Sequence, residues 1–85
     1  MYEIFLEKNV VKFLSKAPQK DVKRIAKKLD LLQENPFPSD VKKIINIQSD
    51  AYRVRVGIYR ILYRIEDNKI IIIFVIDKRS RAYRF

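Results

Sequence analysis

The sequence predicts an α+β fold: a helical hairpin packed on one face of a small, mainly antiparallel four-stranded sheet, in the order β-α-α-β-β-β. Three observations carry this expectation. Apolar residues recur at helical spacing in two successive segments of the first half. Three strand-like runs separated by two-residue turn signals fill the second half. The chain has 85 residues, 48% of them hydrophobic and only one a glycine, which suffices for a single domain (1–85) with one modest core.

The elements follow in order. "YEIFLE" (2–7) alternates and is read as a first strand. Asn9 is suited to cap a short helix whose apolar face is Val10, Phe13, Leu14 and Ala17, ending at Pro18. A longer helix is expected over residues 19–34, with Val22, Ile25, Ala26, Leu29 and Leu32 as its stripe. "ENPFPS" stops it, because a residue preceding proline resists the α region. "VKKIINI" (41–47) fits either an edge strand or an ordered loop. Strands are then expected at 52–56, 59–66 and 69–76. The last is apolar at every position from Ile70 to Ile76, which predicts a central strand buried on both faces, between the third strand and the first.

Two turns set the predicted register. Gly57 at the first central position of a two-residue loop suits a type II′ hairpin, which pairs Val56 with Tyr59, Arg55 with Arg60, Val54 with Ile61 and Arg53 with Leu62. Tyr52, Val54, Val56, Tyr59, Ile61 and Tyr63 then share the core face, while Arg53, Arg55, Arg60 and Arg64 share the other. Asp67-Asn68, both tolerant of positive φ, form the second turn. That turn pairs Glu66 with Lys69, sets Arg60 opposite Val75, and brings Asp77 beside Gly57-Ile58. The basic tail "DKRSRAYRF" leaves the sheet at the same corner as Arg55 and Arg60.

The charge is sorted by residue type. Net charge is +9, which points to a polyanionic or acidic partner. Of eight arginines only Arg24 precedes residue 50, whereas only Lys69 and Lys78 among the lysines follow it. Residues 51–85 hold 9 positive and 3 negative side chains, a net +6. Lysine is a flexible, well-hydrated point charge, so Lys20, Lys23, Lys27 and Lys28 are read as a solvated helix face. Arginine's planar fork binds phosphate or carboxylate through two parallel hydrogen bonds. Like charges directly opposite one another, as at Arg55 and Arg60, destabilise a hairpin, so the arginine face is read as a binding or catalytic surface. Tyr83 and Phe85 in the tail could pack or stack on a base.

The chain has no cysteine and no histidine, which excludes disulfides, thiol catalysis, imidazole bases and Cys/His zinc sites. No metal or other cofactor is expected. No apolar run is long enough to cross a bilayer and no leader is apparent, so a cytoplasmic protein is expected.

The run "YRVRVGIYRILYRIEDNKIIIIFVIDKRSRAYRF" resembles the RelE/ParE toxin superfamily, and in particular the short archaeal-type RelE toxins. The likeness extends over the whole chain: the leading strand, the helical hairpin, the "NPFP" break, the "YRVRVGIYRILY" hairpin and a basic tail with a tyrosine. It implies a toxin of a type II toxin–antitoxin system that cuts mRNA in the ribosomal A site by attack of a 2′-hydroxyl on the adjacent phosphate. It also implies an acidic helical RelB-like antitoxin as partner, through which the complex would bind its own promoter DNA.

Carried over by position, Arg53 and Arg55 fall where bacterial RelE has two functional lysines. Arg60 matches the arginine of the following strand, Arg79 that of the "KR" pair, and Tyr83 the tail tyrosine. The resemblance thereby assigns Arg53, Arg55, Arg60, Arg79 and Tyr83 to metal-independent catalysis, and Lys78, Arg81, Arg84 and Arg64 to RNA binding. Arginine keeps its proton at neutral pH, so Arg53 and Arg55 suit phosphate binding and charge stabilisation rather than base catalysis. Lys78 or Tyr83 would then move the proton. The same fold carries gyrase-inhibiting ParE toxins and could carry a degenerate toxin that only binds its antitoxin, and both remain alternatives.

Overall fold

Both helices form where the apolar spacing puts them. In the computed structural model, which describes residues 1–44 and 51–78, α1 spans Lys8–Lys16 and α2 spans Gln19–Glu34. Val10 on α1 and Ile25, Leu29 and Leu32 on α2 are buried. Pro18 separates the helices, occupying the N-cap position of α2, where a missing N–H costs nothing. At the far end Asn35 leaves the helical region, and its Oδ1 accepts a hydrogen bond from the Phe37 N–H at 3.0 Å. The proline break thereby becomes an ordered turn.

The strands are β1 (Glu3–Leu6), β2 (Lys42–Ile44), β3 (Ala51–Val56), β4 (Tyr59–Glu66) and β5 (Ile70–Lys78). They make one sheet in the order β1-β5-β4-β3-β2. The sheet therefore has five strands rather than the expected four, because "VKKIINI" contributes a short edge strand pairing Lys42 with Arg53 and Ile44 with Ala51. Residues 45–47 of that segment lie outside the described residues. Four strands are antiparallel to their neighbours, and β1 joins β5 in parallel, with Glu3 opposite Ile70 and Leu6 opposite Ile73. The long return through both helices makes that parallel pairing possible.

One sheet face packs on the helices. Val54, Tyr59, Ile61, Tyr63, Ile71, Ile73 and Ile76 meet Val10, Ile25, Leu29 and Leu32 in a single cluster. Each fully buried aliphatic side chain contributes about 1.5–3 kcal/mol relative to exposure. Tyr63 is wholly buried and donates its hydroxyl proton to the Pro36 carbonyl at 2.6 Å, tying the centre of the sheet to the turn that ends α2. Burial raises the pKa of this phenol. β5 lies between β4 and β1 inside the sheet, as predicted, but only helix-side residues of it are fully buried; Ile70, Ile72 and Val75 on the outer side are half-buried.

Two predictions about β5 and α1 need correction. Asp67 and Asn68 do adopt positive φ (56° and 54°), and the Lys69 N–H closes the turn on the Glu66 carbonyl at 3.0 Å. The first ladder pair, however, is Glu66–Ile70, not Glu66–Lys69. A second shift falls between Leu62 and Tyr63, which oppose Val75 and Ile73 and leave Phe74 as an extra residue in β5. Asn9 does not cap α1; Glu7 occupies the N-cap with no side-chain cap bond. Asn9 instead donates its side-chain amide to the Phe74 carbonyl at 2.9 Å, satisfying an acceptor at the bulge.

Candidate active site

The Gly57 hairpin forms in the predicted register, with Arg55 opposite Arg60, Arg53 opposite Leu62 and Ala51 opposite Arg64. Gly57 has φ +57°, and Ile58 does not share the left-handed region, as a type II′ turn requires. Alternation then sends Arg53, Arg55, Arg60 and Arg64 to the face away from the helices. Arg24, the arginine of the first half, reaches this turn from α2. Its guanidinium nitrogen lies 2.7 Å from where a Cβ on Gly57 would stand. Asp21, one helical turn earlier, accepts a 2.6 Å hydrogen bond from the Tyr59 hydroxyl, which raises that phenol's pKa. The start of α2 thus holds the tip of the hairpin at two points.

The outer face is organised in rows across the strands. Lys42, Arg53, Leu62 and Val75 make one row; Arg55, Arg60 and Asp77 make the next, nearer the hairpin tip. Asp77 therefore faces Arg60, where Val75 was expected. The cause is the pair of register shifts just described, each displacing β5 by one residue. Its consequence is an ion pair with two parallel hydrogen bonds, Arg60 Nε–H to Asp77 Oδ1 at 3.2 Å and Nη2–H to Oδ2 at 3.0 Å.

Arg64 is also paired. Its Nε lies 3.1 Å from Glu66 and its Nη1 3.5 Å from Glu7, with the guanidinium 5.8 Å from the centre of the Phe74 ring. Among the described residues Arg53 has no acidic partner, and Lys42 stands opposite it. The positive potential of the face is therefore concentrated towards Lys42 and Arg53 on β2 and β3, while Asp77, Glu66 and Glu7 offset the charge of the β4 arginines. Sequence reading missed these three acidic partners. Glu66 and Asp77 are two of only three carboxylates in residues 51–85, but setting Asp77 against Arg60 needed the bulge and Glu7 reaches Arg64 from the other half of the chain.

Tyr59 and Tyr63 are buried on the helix face and Tyr52 packs against the same core, as predicted. Lys78 ends β5 opposite Tyr59, exposed beside an open groove that Lys12, Lys16, Phe13 and Asp77 also line. Three lysine ammonium groups thus border the corner at which the chain leaves the sheet. Arg79, Arg81, Tyr83, Arg84 and Phe85, on which the expected convergence with Arg55 and Arg60 rests, lie outside the described residues, and Lys78, opposite Tyr59, falls by alternation on the helix side of the sheet rather than beside Arg55 and Arg60.

Chemically, the strand arginines can bind an oxyanion and stabilise charge that develops on it, but none can act as a base. Comparison with known proteins places the chain. The family described as the ParE toxin of type II toxin–antitoxin system, parDE, matches residues 6–83. A Methanocaldococcus jannaschii protein assigned as a candidate toxin, RelE1, is 32% identical over 87 residues, covering 98% of this chain and 96% of that protein. The chain belongs to the RelE/ParE family of type II toxins.

This RelE-like toxin has the fold of solved RelE proteins. It matches the toxin of the archaeal RelE–RelB complex from Pyrococcus horikoshii with a TM-score of 0.82 and 33% identity, over 94% of this chain and 97% of that one. It matches the RelB–RelE antitoxin–toxin complex from Methanococcus jannaschii with a TM-score of 0.74 and 28% identity, over 95% and 96% of the two chains. The two-helix, five-strand arrangement belongs to the RelE fold, and the arginine face lies on its outer sheet surface.

Proposed function

We propose that this RelE-like toxin is an endoribonuclease that cuts mRNA in the ribosomal A site. The observation that carries the reading is the outward placement of Arg53, Arg55 and Arg60 in neighbouring positions of β3 and β4, with Lys42 beside them. A phosphodiester lying across this face would meet several fixed cations presented by a sheet, which positions more accurately than a loop. In the reaction the 2′-oxygen bonds to phosphorus as the bond to the 5′-oxygen breaks, leaving a 2′,3′-cyclic phosphate. Charge accumulating on the phosphorane oxygens is stabilised by Arg53, Arg55, Arg60 and Arg79. Lys78 or Tyr83 takes the 2′-hydroxyl proton or supplies one to the 5′-oxygen, and Arg64, Arg81 and Arg84 bind neighbouring phosphates. Neither transfer requires a metal ion.

The same reading gives the toxin an acidic, RelB-like antitoxin as partner, supported by the RelB-bound relatives above. Charge complementarity favours it: an acidic segment would neutralise the β2–β3 side, where Lys42 and Arg53 have no carboxylate partner among the described residues. Promoter DNA would be bound through that antitoxin.

Primer extension on a defined mRNA in a translation extract tests the proposal. Cuts phased to the A site are expected with the wild-type toxin and should be lost in the Arg60→Ala/Arg79→Ala double variant. An uncut message, or cuts that persist in the double variant, overturns it. The match of residues 6–83 to the ParE description favours gyrase inhibition as the second reading. Trapped, cleaved DNA in a supercoiling assay, with translation unaffected, would establish that alternative. Harmless overexpression without antitoxin would indicate a toxin retaining only partner binding.

A further inference from the structure

The row Arg55, Arg60, Asp77 runs straight across three strands on the outer face. Its acidic end is the unexpected member. Asp77 accepts hydrogen bonds from Nε–H and Nη2–H of Arg60, with side-chain exposures of 24% for the arginine and 32% for the aspartate. The pair is neither sealed in the core nor loosely solvated. It exists because β5 carries an extra residue at Phe74 and a wider turn at its start, so a regular ladder would have put Val75 in this place.

A guanidinium has two forks. The side-on fork is Nε–H with the nearer Nη–H; the end-on fork is the outward N–H of both Nη atoms. Asp77 occupies the side-on fork. Among the described residues no other hydrogen bond to Arg60 forms, so the end-on fork is available to a ligand. A long arginine side chain normally samples many rotamers and must surrender them on binding. Held by two bonds in the plane of its fork, Arg60 has already lost that freedom. Drawing Arg60 towards β5 also relieves its opposition to Arg55.

We propose that Asp77 is a positioning residue: it grips Arg60 by the side-on fork and presents the end-on fork to a phosphodiester oxygen of single-stranded RNA. The choice of RNA as ligand rests on the endoribonuclease reading; the anchoring of Arg60 does not. Fixing the cation before substrate arrives removes reorganisation from the reaction itself, which is where a preorganised charge acts. The carboxylate lowers the local charge, so it sharpens geometry at some cost in attraction for the polyanion.

The test follows Arg60 directly. The full chain, labelled with ¹⁵N in its arginine side chains, is titrated with a 2′-O-methyl RNA trinucleotide, which cannot be cut. The Arg60 Nη resonances should shift on saturation while its Nε–H keeps the shift and slow exchange of the Asp77-bound state. In Asp77→Ala the Nε–H should lose that protection. Trinucleotide affinity should then change by less than about threefold, but turnover in the translation extract should fall about 10- to 100-fold. The loss should vanish in an Arg60→Ala background. Displacement of Asp77 by the trinucleotide, seen as an Nε–H moving to its unpaired position, overturns the proposal, and so does an Arg60 that fails to respond. An equal loss from Asp77→Ala with and without Arg60 also overturns it. If the wild-type toxin cuts no mRNA, the endoribonuclease reading fails, and the titration alone still decides whether Arg60 binds a phosphodiester while held by Asp77.

Discussion

Replacing Tyr63 by Phe isolates one atom of the fold's central fastening. Tyr63 has no exposed surface, and its hydroxyl gives a 2.6 Å hydrogen bond to the Pro36 carbonyl. Phe keeps the ring and leaves almost no cavity, so the loss is the bond and the stranded carbonyl. An unmade bond to a buried acceptor costs about 1–3 kcal/mol. In a domain this small, each 1 kcal/mol lowers Tm by about 4–8 °C. We expect Tyr63→Phe to lose about 1–2 kcal/mol at pH 7, measured by urea unfolding.

A second readout is specific to the hydroxyl. Burial raises the Tyr63 pKa above its ordinary 10.0, so the folded state keeps the proton after the unfolded chain has released it. This stabilisation is complete below pH 10 and is lost as pH rises through the folded value. Between pH 9 and 11 the loss from Tyr63 is at most about 1.4 kcal/mol, the cost of ionising an unfolded phenol across that interval. Tyr59, raised by its bond to Asp21, acts in the same direction. Tyr63→Phe should therefore be less stable than wild type at pH 7 and show a shallower alkaline decline. A neutral substitution, or an unchanged slope above pH 10, would refute the role given to the hydroxyl.

Two further outcomes follow from the hairpin and the bulge. Gly57→Ala places a Cβ at φ +57° against the Arg24 guanidinium, and should cost about 1–2 kcal/mol in thermal unfolding, chiefly from the left-handed backbone since Arg24 can swing aside. A loss below about 0.5 kcal/mol would mean that the turn readily changes type. Asn9→Ala removes the amide bonded to the Phe74 carbonyl at 2.9 Å. It should cost about 0.5–1.5 kcal/mol and speed hydrogen exchange of the β5 amides around the bulge; unchanged exchange there would refute the anchoring.

The helices and most strand boundaries were legible in the sequence because each depends on a local signal. Helical spacing and the prolines bounded α1 and α2, and Gly57 with its flanking alternation set the β3–β4 register. The face assigned to Arg53, Arg55, Arg60 and Arg64 follows from that register and agrees with the structure. The Glu66–Lys69 pairing failed because the turn and ladder are separate constraints: positive φ at Asp67 and Asn68 closes the turn without specifying where pairing resumes. The role of Asn9 was illegible for another reason. A side chain near a helix start suits a cap on local grounds, but its partner is the Phe74 carbonyl, 65 residues away.

By itself, then, the sequence determined an α+β fold, a core face bearing three tyrosines, and an outer face bearing arginines. Period-two and period-3.6 patterns are properties of neighbouring residues, and they survive any later adjustment between strands. Tertiary structure alone decided which arginines have carboxylate partners. One extra residue at Phe74 and one at the preceding turn move β5 two places along β4, turning a predicted Arg60–Val75 neighbour into the Arg60–Asp77 pair. From Val75 onward the two shifts together preserve the predicted faces, whereas residues 70–73, displaced by one, exchange theirs; the strand is apolar on both sides from Ile70 to Ile76, so no hydrophobic pattern could reveal either change.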